Sequence, residues 1–393
     1  MATVVSNEGS VFITEEITEG TYVAESSGSE VVEVLADGLE ITPARELLER
    51  NNRTDSVEKV AARAGQRSVS GTIPTELKAG DSEGSAPDSD LLWKALLGGK
   101  RTGTASTSKA SPAHTSTVIQ IEDADISKYA VGDVVLVKES GAYELRPISA
   151  INSGAGVATI TFPFALDNGA PSASVVIGAF TTYYVDSTNA PSLSVTNYLG
   201  GVLRQKAIGM RPISGEISNF STGQLAEVAF GMEGLTFEKE TGTPVASPTF
   251  GTALPPVILS SKVFQEGTEM VLNEFGVSIA NTLGFKTSTA DANGKISSRI
   301  TNIDITGTMN PYQDSASVAL WDKFDDNTEL SIFAETGNPS TTAGETSENI
   351  GIYMPTCRIT EAADGDADGL MTDEFSFMAH RNLGNDSFFI SFS

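Results

Sequence analysis

One order of segments occurs twice in this chain, and this repeat limits the fold more than any other feature of the sequence. Residues 69–73 (VSGTI) align with residues 305–309 (ITGTM) at an offset of 236. In both segments apolar residues and a glycine recur at alternate positions, and alternate side chains of a β-strand share one face. Each segment therefore predicts a strand, and a proline that follows soon after helps to end it.

A short helical pattern follows each predicted strand. The first covers residues 90–97, where Asp90 can cap the start and Gly98 suits the left-handed conformation that often follows a helix. The second covers residues 315–324. Trp93 and Trp321, the two tryptophans of the chain, align with each other.

A pair of alternating strands completes each copy. Residues 215–220 and 225–232 predict two strands around a turn. Residues 357–360 and 370–378 predict the later counterpart, with an acidic turn between them. Each copy thus has the order strand, helix, strand pair.

The first copy is longer than the second. Trp93 and Phe230 are separated by 137 positions, whereas Trp321 and Phe377 are separated by 56. The difference predicts an insertion of about 81 residues in the first copy, entered through a Thr/Ser/Ala-rich stretch that is typical of a linker. Four strand signals within it indicate a small β-barrel or sandwich: residues 118–121, 134–137, 158–162 and 175–177.

The sequence therefore predicts a mainly β fold with two sandwich or barrel domains, each carrying a short helix, and an inserted small β-barrel domain. We place the first domain at residues 1–103 and 186–245, the insertion at 104–185 and the second domain at 246–393. The proline-rich stretch 241–256 reads as the connection between the two copies.

The charge is strongly one-sided, with 25 Lys and Arg against 51 Asp and Glu, a net charge of −26. Such a field repels phosphates, so nucleic-acid binding through basic contacts and binding to anionic lipid are not expected. A single cysteine, Cys357, allows neither an intrachain disulfide nor a thiolate zinc cluster. The first ten residues lack an export signal, and no apolar run approaches the ~18 residues of a membrane helix.

Two short motifs suggest chemistry. Residues 80–84 match the G-x-S-x-G pattern around a nucleophilic serine, but a loop follows Ser82 where a helix is required, and His114 and His380 are the available bases. Nucleophilic catalysis is therefore not expected, and the motif is interpreted as the flexible tip of a loop. We predict no catalytic, cofactor-binding or metal-binding residue and no cofactor.

The second motif, Asp364, Asp366 and Asp368 followed by Gly369, matches the first half of a calcium-binding EF-hand loop. The twelfth position should be Glu but is Phe375, and the flanks read as strands. An acidic turn and a weak calcium site are the two alternatives.

Several of these segments resemble a known family. Residues 39–50 (LEITPARELLER) resemble the early segment of siphophage tail tube (major tail) proteins, and residues 91–98 and 219–230 resemble their helix and final hairpin. Residues 131–137 (VGDVVLV) resemble a barrel inserted in some members. The resemblance covers most of the chain, and this sequence differs from simpler members by carrying the tube unit twice.

The resemblance implies a structural virion protein that is not an enzyme. It implies assembly in the host cytoplasm into stacked rings that form the tail tube, through which DNA passes without specific binding. Six tube domains make one ring in simple members, so two per chain predict a homotrimeric, pseudo-hexameric ring. The implied partners are other copies of the chain, a tape measure protein in the lumen, and tail terminator and distal tail proteins at the ends, with no membrane.

Three further expectations follow from this interpretation. Asp and Glu should dominate the luminal face, the loop 78–89 should contact the next ring, and the insertion should lie outside the tube. Two other classes of protein fit parts of the composition. An exported surface-layer or adhesin-type protein shares the acidic β-rich composition but should carry an export signal, and a polysaccharide-active enzyme should have more than 7% aromatic residues.

Overall fold

Strands dominate the part of the chain that the structure describes. The computed structural model describes residues 9–53, 55–109, 114–139, 142–154, 157–171, 175–186, 188–245, 248–259, 261–337 and 349–393. These ranges contain 25 strands, two α-helices, and two 3-10 helices at Gly28–Glu30 and Ile126–Lys128. The predicted mainly β fold is confirmed.

The elements fall into two similar series and one extra segment. The first series is β1 (Gly9–Glu15), β2 (Val31–Val32), β3 (Glu40–Arg50), β4 (Val60–Glu76) and α1 (Asp90–Leu97). The extra segment is β5 (Gly98–Gly103), β6 (Ser106–Thr107), β7 (Val118–Ile121), β8 (Val134–Glu139), β9 (Ala142–Pro147), β10 (Ala150–Gly154), β11 (Val157–Thr161), β12 (Val176–Ile177) and β13 (Phe180–Val185). The first series then resumes with β14 (Leu193–Leu199), β15 (Leu203–Ser221), β16 (Glu227–Gly234) and β17 (Thr236–Thr241).

Among the described residues, the second series has no extra segment. It comprises β18 (Lys262–Gln265), β19 (Thr268–Met270), β20 (Leu272–Thr287), β21 (Lys295–Pro311), α2 (Ser315–Asp325), β22 (Leu330–Thr336), β23 (Ile350–Ala367), β24 (Leu370–Ala379) and β25 (Phe389–Phe392). We call the two series the first unit and the second unit.

Strand pairing is the same in the two units. An inner sheet has the order β3-β4-β16-β15 in the first unit and β20-β21-β24-β23 in the second. An outer sheet has the order β2-β1-β14-β15-β17 and β19-β18-β22-β23-β25, respectively. The long strands β15 and β23 belong to both sheets, the first half to the outer one and the second half to the inner one.

Bulges show how closely the units correspond. The register of β15 against β16 shifts between Pro212 and Ser214, and that of β23 against β24 shifts between Ile359 and Glu361. An extra residue of this kind bends a strand and increases its twist. The bend therefore lies at equivalent places, where each long strand passes from the outer sheet to the inner sheet.

The registers correct one detail of the sequence alignment. Ile73 pairs with Phe230 and its counterpart Met309 pairs with Phe375, so Phe230 corresponds to Phe375 and not to Phe377. The error arose because both phenylalanines of β24 point to the buried face, two positions apart.

Each helix packs in the core between the sheets of its unit. In α1, Leu92, Trp93 and Leu96 are almost fully buried. Gly98 has φ 93° after the helix, as predicted. The predicted cap is wrong: the helix begins at Asp90, whose carboxylate accepts a hydrogen bond from the hydroxyl of Tyr183 at 2.7 Å instead.

The extra segment folds into two small sheets, β10-β11-β7 and β6-β12-β8-β9, around a core of its own. Its ends are strands of a larger sheet: β13 pairs with β5 on one side and with β25 of the second unit on the other. Residues 180–185, which the sequence analysis assigned to the insertion, thus extend the outer sheet of the second unit. The elements without a counterpart begin at residue 98 rather than at 104.

The extra segment covers the outer face of the second unit. Phe164 stacks on Phe333 with ring centroids 6.4 Å apart, and Phe333 stacks on Phe264 at 5.8 Å. Neighbouring residues of the same strands, such as Ile332, point inward to the main core. The aromatic face is therefore the one that points away from that core.

The loop between β4 and α1 is held by contacts within the chain. Asp81 accepts hydrogen bonds from the backbone N–H groups of Thr252 and Ala253 at 2.6 and 2.9 Å, which hold the pKa of its carboxyl below the usual range. Glu83 accepts one from the N–H of Ala179 at 2.9 Å. The interpretation of this loop as a flexible tip is wrong, because it ties the linker between the units to the extra segment.

Candidate assembly surface

The inner sheets of the two units are joined inside the chain. Residues 214–217 of β15 pair antiparallel with residues 277–280 of β20. The result is one eight-stranded arrangement, β3-β4-β16-β15-β20-β21-β24-β23. This junction is not predictable from the sequence, although the alternating pattern of residues 272–280 indicates a strand.

Both ends of this eight-stranded sheet are open edges among the described residues. The second half of β23 pairs with β24 on one side, and the opposite side has no strand. β3 pairs with β4 and likewise has no strand on its other side. By the pairing order, β23 corresponds to β15 and β3 corresponds to β20. The open edge of β23 is therefore equivalent to the edge that β15 uses in the internal junction, and the open edge of β3 is equivalent to the edge that β20 uses.

The open edge strand β3 is unusually exposed. Every residue from Thr42 to Arg50 is exposed, including Leu47 at 66% and Leu48 at 50%. An edge of this length with exposed leucines attracts other strands, and natural proteins protect such edges unless they serve assembly. Pro43 lies on it, as prolines in sheets do, and limits indiscriminate pairing because it lacks an N–H donor.

One face of the eight-stranded sheet is open to solvent and acidic. In β16, buried residues alternate with half-buried ones, so that Phe230 and Met232 point to the core while Ala229 and Gly231 point to the open face. Serine, threonine, glycine and alanine make up most of this face. Its acidic residues include Glu40, Glu76, Glu216, Glu227, Glu233, Glu274, Asp304, Glu361 and Glu374.

The residues of the serine motif are not brought together with a base. The hydroxyl of Ser85 donates to the Ser82 carbonyl at 2.6 Å. His114 lies in the extra segment, where its Nδ1 accepts from the N–H of Gln120 at 3.2 Å, and burial lowers its pKa. His380 contacts Glu329 in the second unit at 3.3 Å.

The acidic motif forms the turn of the β23–β24 hairpin. Asp368 and Gly369 have φ values of 52° and 84°, as a two-residue turn with two left-handed positions requires. Asp366 accepts a hydrogen bond from the Gly369 N–H at 3.1 Å. Within the described ranges, no group of three or more His, Cys, Asp or Glu side chains is placed to hold a metal ion.

A buried carboxylate lies behind this turn. Asp373 is 1% exposed and pairs across the strands with Asp364, and the side-chain amide of Gln313 donates to both carboxylates at 2.9 Å. The amide lies between the two carboxyl groups and supplies each with a hydrogen-bond donor. This bridge fixes the part of β23 whose other edge is open.

The sequence matches the model of a known protein family. A family model described as phage tail tube protein matches residues 6–379. No curated protein matches the chain. In the described part of the chain no helix is both long and apolar enough to cross a membrane.

Proposed function

Because this chain belongs to the phage tail tube protein family, and is therefore a structural protein of the virion tail, we propose that three copies close into a ring through the open edges of the eight-stranded sheet. The observation that carries the proposal is the internal junction of β15 with β20. It joins two units side by side, and the chain presents the same two surfaces, unpaired, on β23 and β3.

The internal junction predicts the register between chains. The counterparts of residues 214–217 on β23 are residues 361–364, and the counterparts of residues 277–280 on β3 are residues 41–44. Glu361 of one chain should therefore lie opposite Ala44 of the next. A head-to-tail contact of this kind forms a ring only if the rotation closes, and otherwise forms an open helix.

The number of chains follows from the number of units. If each junction turns the sheet by one sixth of a circle, as in a ring of six tube domains, three chains with two units each complete the circle. The division into a first domain (residues 1–103 and 186–245), an insertion (104–185) and a second domain (246–393) is part of this proposal. The equivalent strand pairing of the two units supports this division.

The acidic face of the eight-stranded sheet lines the channel in this ring. The other face is buried against the helices and outer sheets, so the open face is the one that can surround a lumen. Carboxylates on a channel wall repel the phosphates of DNA and prevent the adhesion that would slow its passage. The extra segment lies on the aromatic outer face of the second unit, which supports its placement outside the tube.

Rings stack into the tube, and the remaining partners follow from this role. A tape measure protein occupies the lumen during assembly, and terminator and distal tail proteins cap the ends. DNA passes without specific binding. The role is structural and includes no catalysis.

A cysteine pair tests ring closure. Chains with Ala44→Cys and Glu361→Cys should form disulfides between neighbours in assembled tubes, and the covalent products should end at the trimer. Glu40→Cys with Glu361→Cys is the matched control, because its sites are offset by four residues, about 13 Å along the strand. Image averaging that shows six chains per ring, or tubes without cross-links at the predicted pair, would overturn the proposal.

A further inference from the structure

We propose that residues 45–67, the end of the β3–β4 hairpin, dock into a groove beside α2 of the next chain in the ring. We call this segment the arm. The inference rests on the proposed ring, and it adds a second contact surface to the paired strand edges.

The second unit shows how such a hairpin docks. Within the chain, the β20–β21 hairpin packs against the first unit. The side-chain amide of Asn281 donates to the carbonyl oxygens of Leu96 and Pro212, at 2.9 and 3.2 Å. Nε of Arg211 donates to the hydroxyl of Ser298 at 3.1 Å. The hairpin therefore covers the end of α1 and the bend of β15.

The equivalent surface of the second unit is an open groove. The counterparts of Leu96, Pro212 and Arg211 are Phe324, Ile359 and Arg358, by helix alignment and strand register. All three line a groove of about 590 Å³, together with Met378 and His380. The surface that the β20–β21 hairpin covers in the first unit thus has a counterpart in the second unit, and no described segment covers it there.

Exposure of the two arginines shows the same contrast. The side chain of Arg211 is 2% exposed, whereas that of Arg358 is 42% exposed. Nε of Arg358 is nevertheless buried and has no hydrogen-bond partner in the described structure. A buried donor without a partner is costly, and in the first unit the docked hairpin supplies the acceptor for the equivalent atom.

Charge matches the arm to the groove of a second copy. Between positions 45 and 67 the sequence has six basic residues (Arg45, Arg50, Arg53, Lys59, Arg63, Arg67) and four acidic ones, in a chain of net charge −26. The end of α2 and the loop after it carry Asp322, Asp325, Asp326 and Glu329 against Lys323. A helix C-terminus adds partial negative charge. Within the groove, Glu329 contacts Arg358 and His380, at 3.0 and 3.3 Å. The positive arm therefore fits the acidic end of α2 beside the groove.

Arg45 occupies the position of Asn281 in the pairing register. Its guanidinium has five N–H donors, which suit the carbonyl oxygens at the end of α2 and at the bend of β23. The arm also carries Leu47 and Leu48, whose exposure in the single chain would be reduced by docking.

Cross-linking separates this inference from the proposed ring. Chains with Ala62→Cys and Met378→Cys should be joined by a short bis-maleimide, which adds one cysteine thiol across each of its two double bonds, in assembled tubes. The matched control is Ala62→Cys with Glu374→Cys, about 13 Å away along β24. If the Ala44 and Glu361 pair cross-links but the Ala62 and Met378 pair does not, arm docking is wrong and the ring stands. If neither pair cross-links in tubes, both the proposed ring and the docking of the arm are wrong.

Substitution of Arg45 gives a second test. Arg45→Asn copies the internal junction and should assemble at the wild-type concentration, whereas Arg45→Glu should raise the concentration needed for half assembly by ~10-fold or more. Lys239→Glu, an exposed lysine on β17, is the control for the change of charge. Circular dichroism checks that each variant folds. Assembly of Arg45→Glu at the wild-type concentration would overturn the docking of the arm.

Discussion

The indole of Trp93 meets the ring of Phe230 edge-on, with centroids 5.2 Å apart and an interplanar angle of 83°. Trp321 meets Phe375 in the same way, at 5.6 Å and 67°. In each unit this contact joins the helix to the inner sheet. Edge-to-face packing contributes beyond the area that the rings bury, so the pair is a shared structural centre of both units.

The two tryptophans should differ in their contribution to stability. Trp93 is 1% exposed, while Trp321 is only partly buried. Trp93→Ala should lower the free energy of unfolding by about 3 to 5 kcal/mol, because it leaves a large cavity. Trp321→Ala should cost about half as much. Urea unfolding of the unassembled chain, followed by circular dichroism, measures both, and equal losses would contradict the assignment of Trp93 to the better-packed core.

Gly98 should not tolerate a side chain. Its φ is 93°, and a Cβ there would overlap the carbonyl oxygen of Asp186. Gly98→Ala should therefore cost about 2 to 4 kcal/mol, from backbone strain and overpacking together. Gly223→Ala is the control, since Gly223 has φ 78° with open space around it and should show the strain alone. The difference between the two urea midpoints reports the packing contribution.

Local patterns predicted the repeat well because each unit contains the same buried positions at the same spacing. The strand signals at residues 69–73 and 305–309 and the helices around the two tryptophans correspond to β4, β21, α1 and α2. The alignment failed by two residues at Phe377, because Phe375 and Phe377 are both buried and a period of two fits either of them. The Asp90 cap failed because a distant tyrosine, Tyr183, binds that carboxylate.

Long-range pairing could not be predicted from the sequence. β13 looks like any other strand of the insertion, yet it pairs with β25, more than 200 residues away. The sequence likewise does not show that β15 pairs with β20, or that β3 and β23 lie at open edges, because many strands have a similar pattern. The partner of each strand depends on the shape of the whole sheet, and local composition carries little of that information.

Stability should depend on pH through Glu335. Burial raises the pKa of this carboxyl to about 7 from an ordinary value of 4.5, although Arg146 and Lys262 oppose the shift. Between these pH values the folded chain binds a proton that the unfolded chain releases, so this group's contribution to stability is present below pH 4.5 and is lost as pH rises through 7. The contribution is at most ~3 kcal/mol.

Glu335→Gln removes this dependence. The variant should match the wild type at pH 4.5 and exceed it in urea midpoint at pH 8, because a neutral amide avoids the cost of a buried charge. Arg146 keeps two other carboxylate partners, Glu144 and Asp167, at 3.1 and 2.8 Å. Glu269→Gln is the control for the loss of one carboxylate, because Glu269 lies on the surface 3.6 Å from Lys262. Parallel profiles for Glu335→Gln and the wild type would show that the carboxyl is charged throughout this range.

Reversing charges on the proposed channel face should slow DNA. Glu216 and Glu374 lie on the open face of the eight-stranded sheet, and changing both to Lys places cations where phosphates pass. DNA release from assembled particles should become slower at low salt and recover between about 50 and 200 mM salt, because counterion release makes phosphate contacts salt-dependent. Glu238→Lys with Glu269→Lys makes the same change in charge on the outer strands β17 and β19, so release should keep its wild-type rate. Equal slowing by both pairs would mean that the acidic face does not line the path of the DNA.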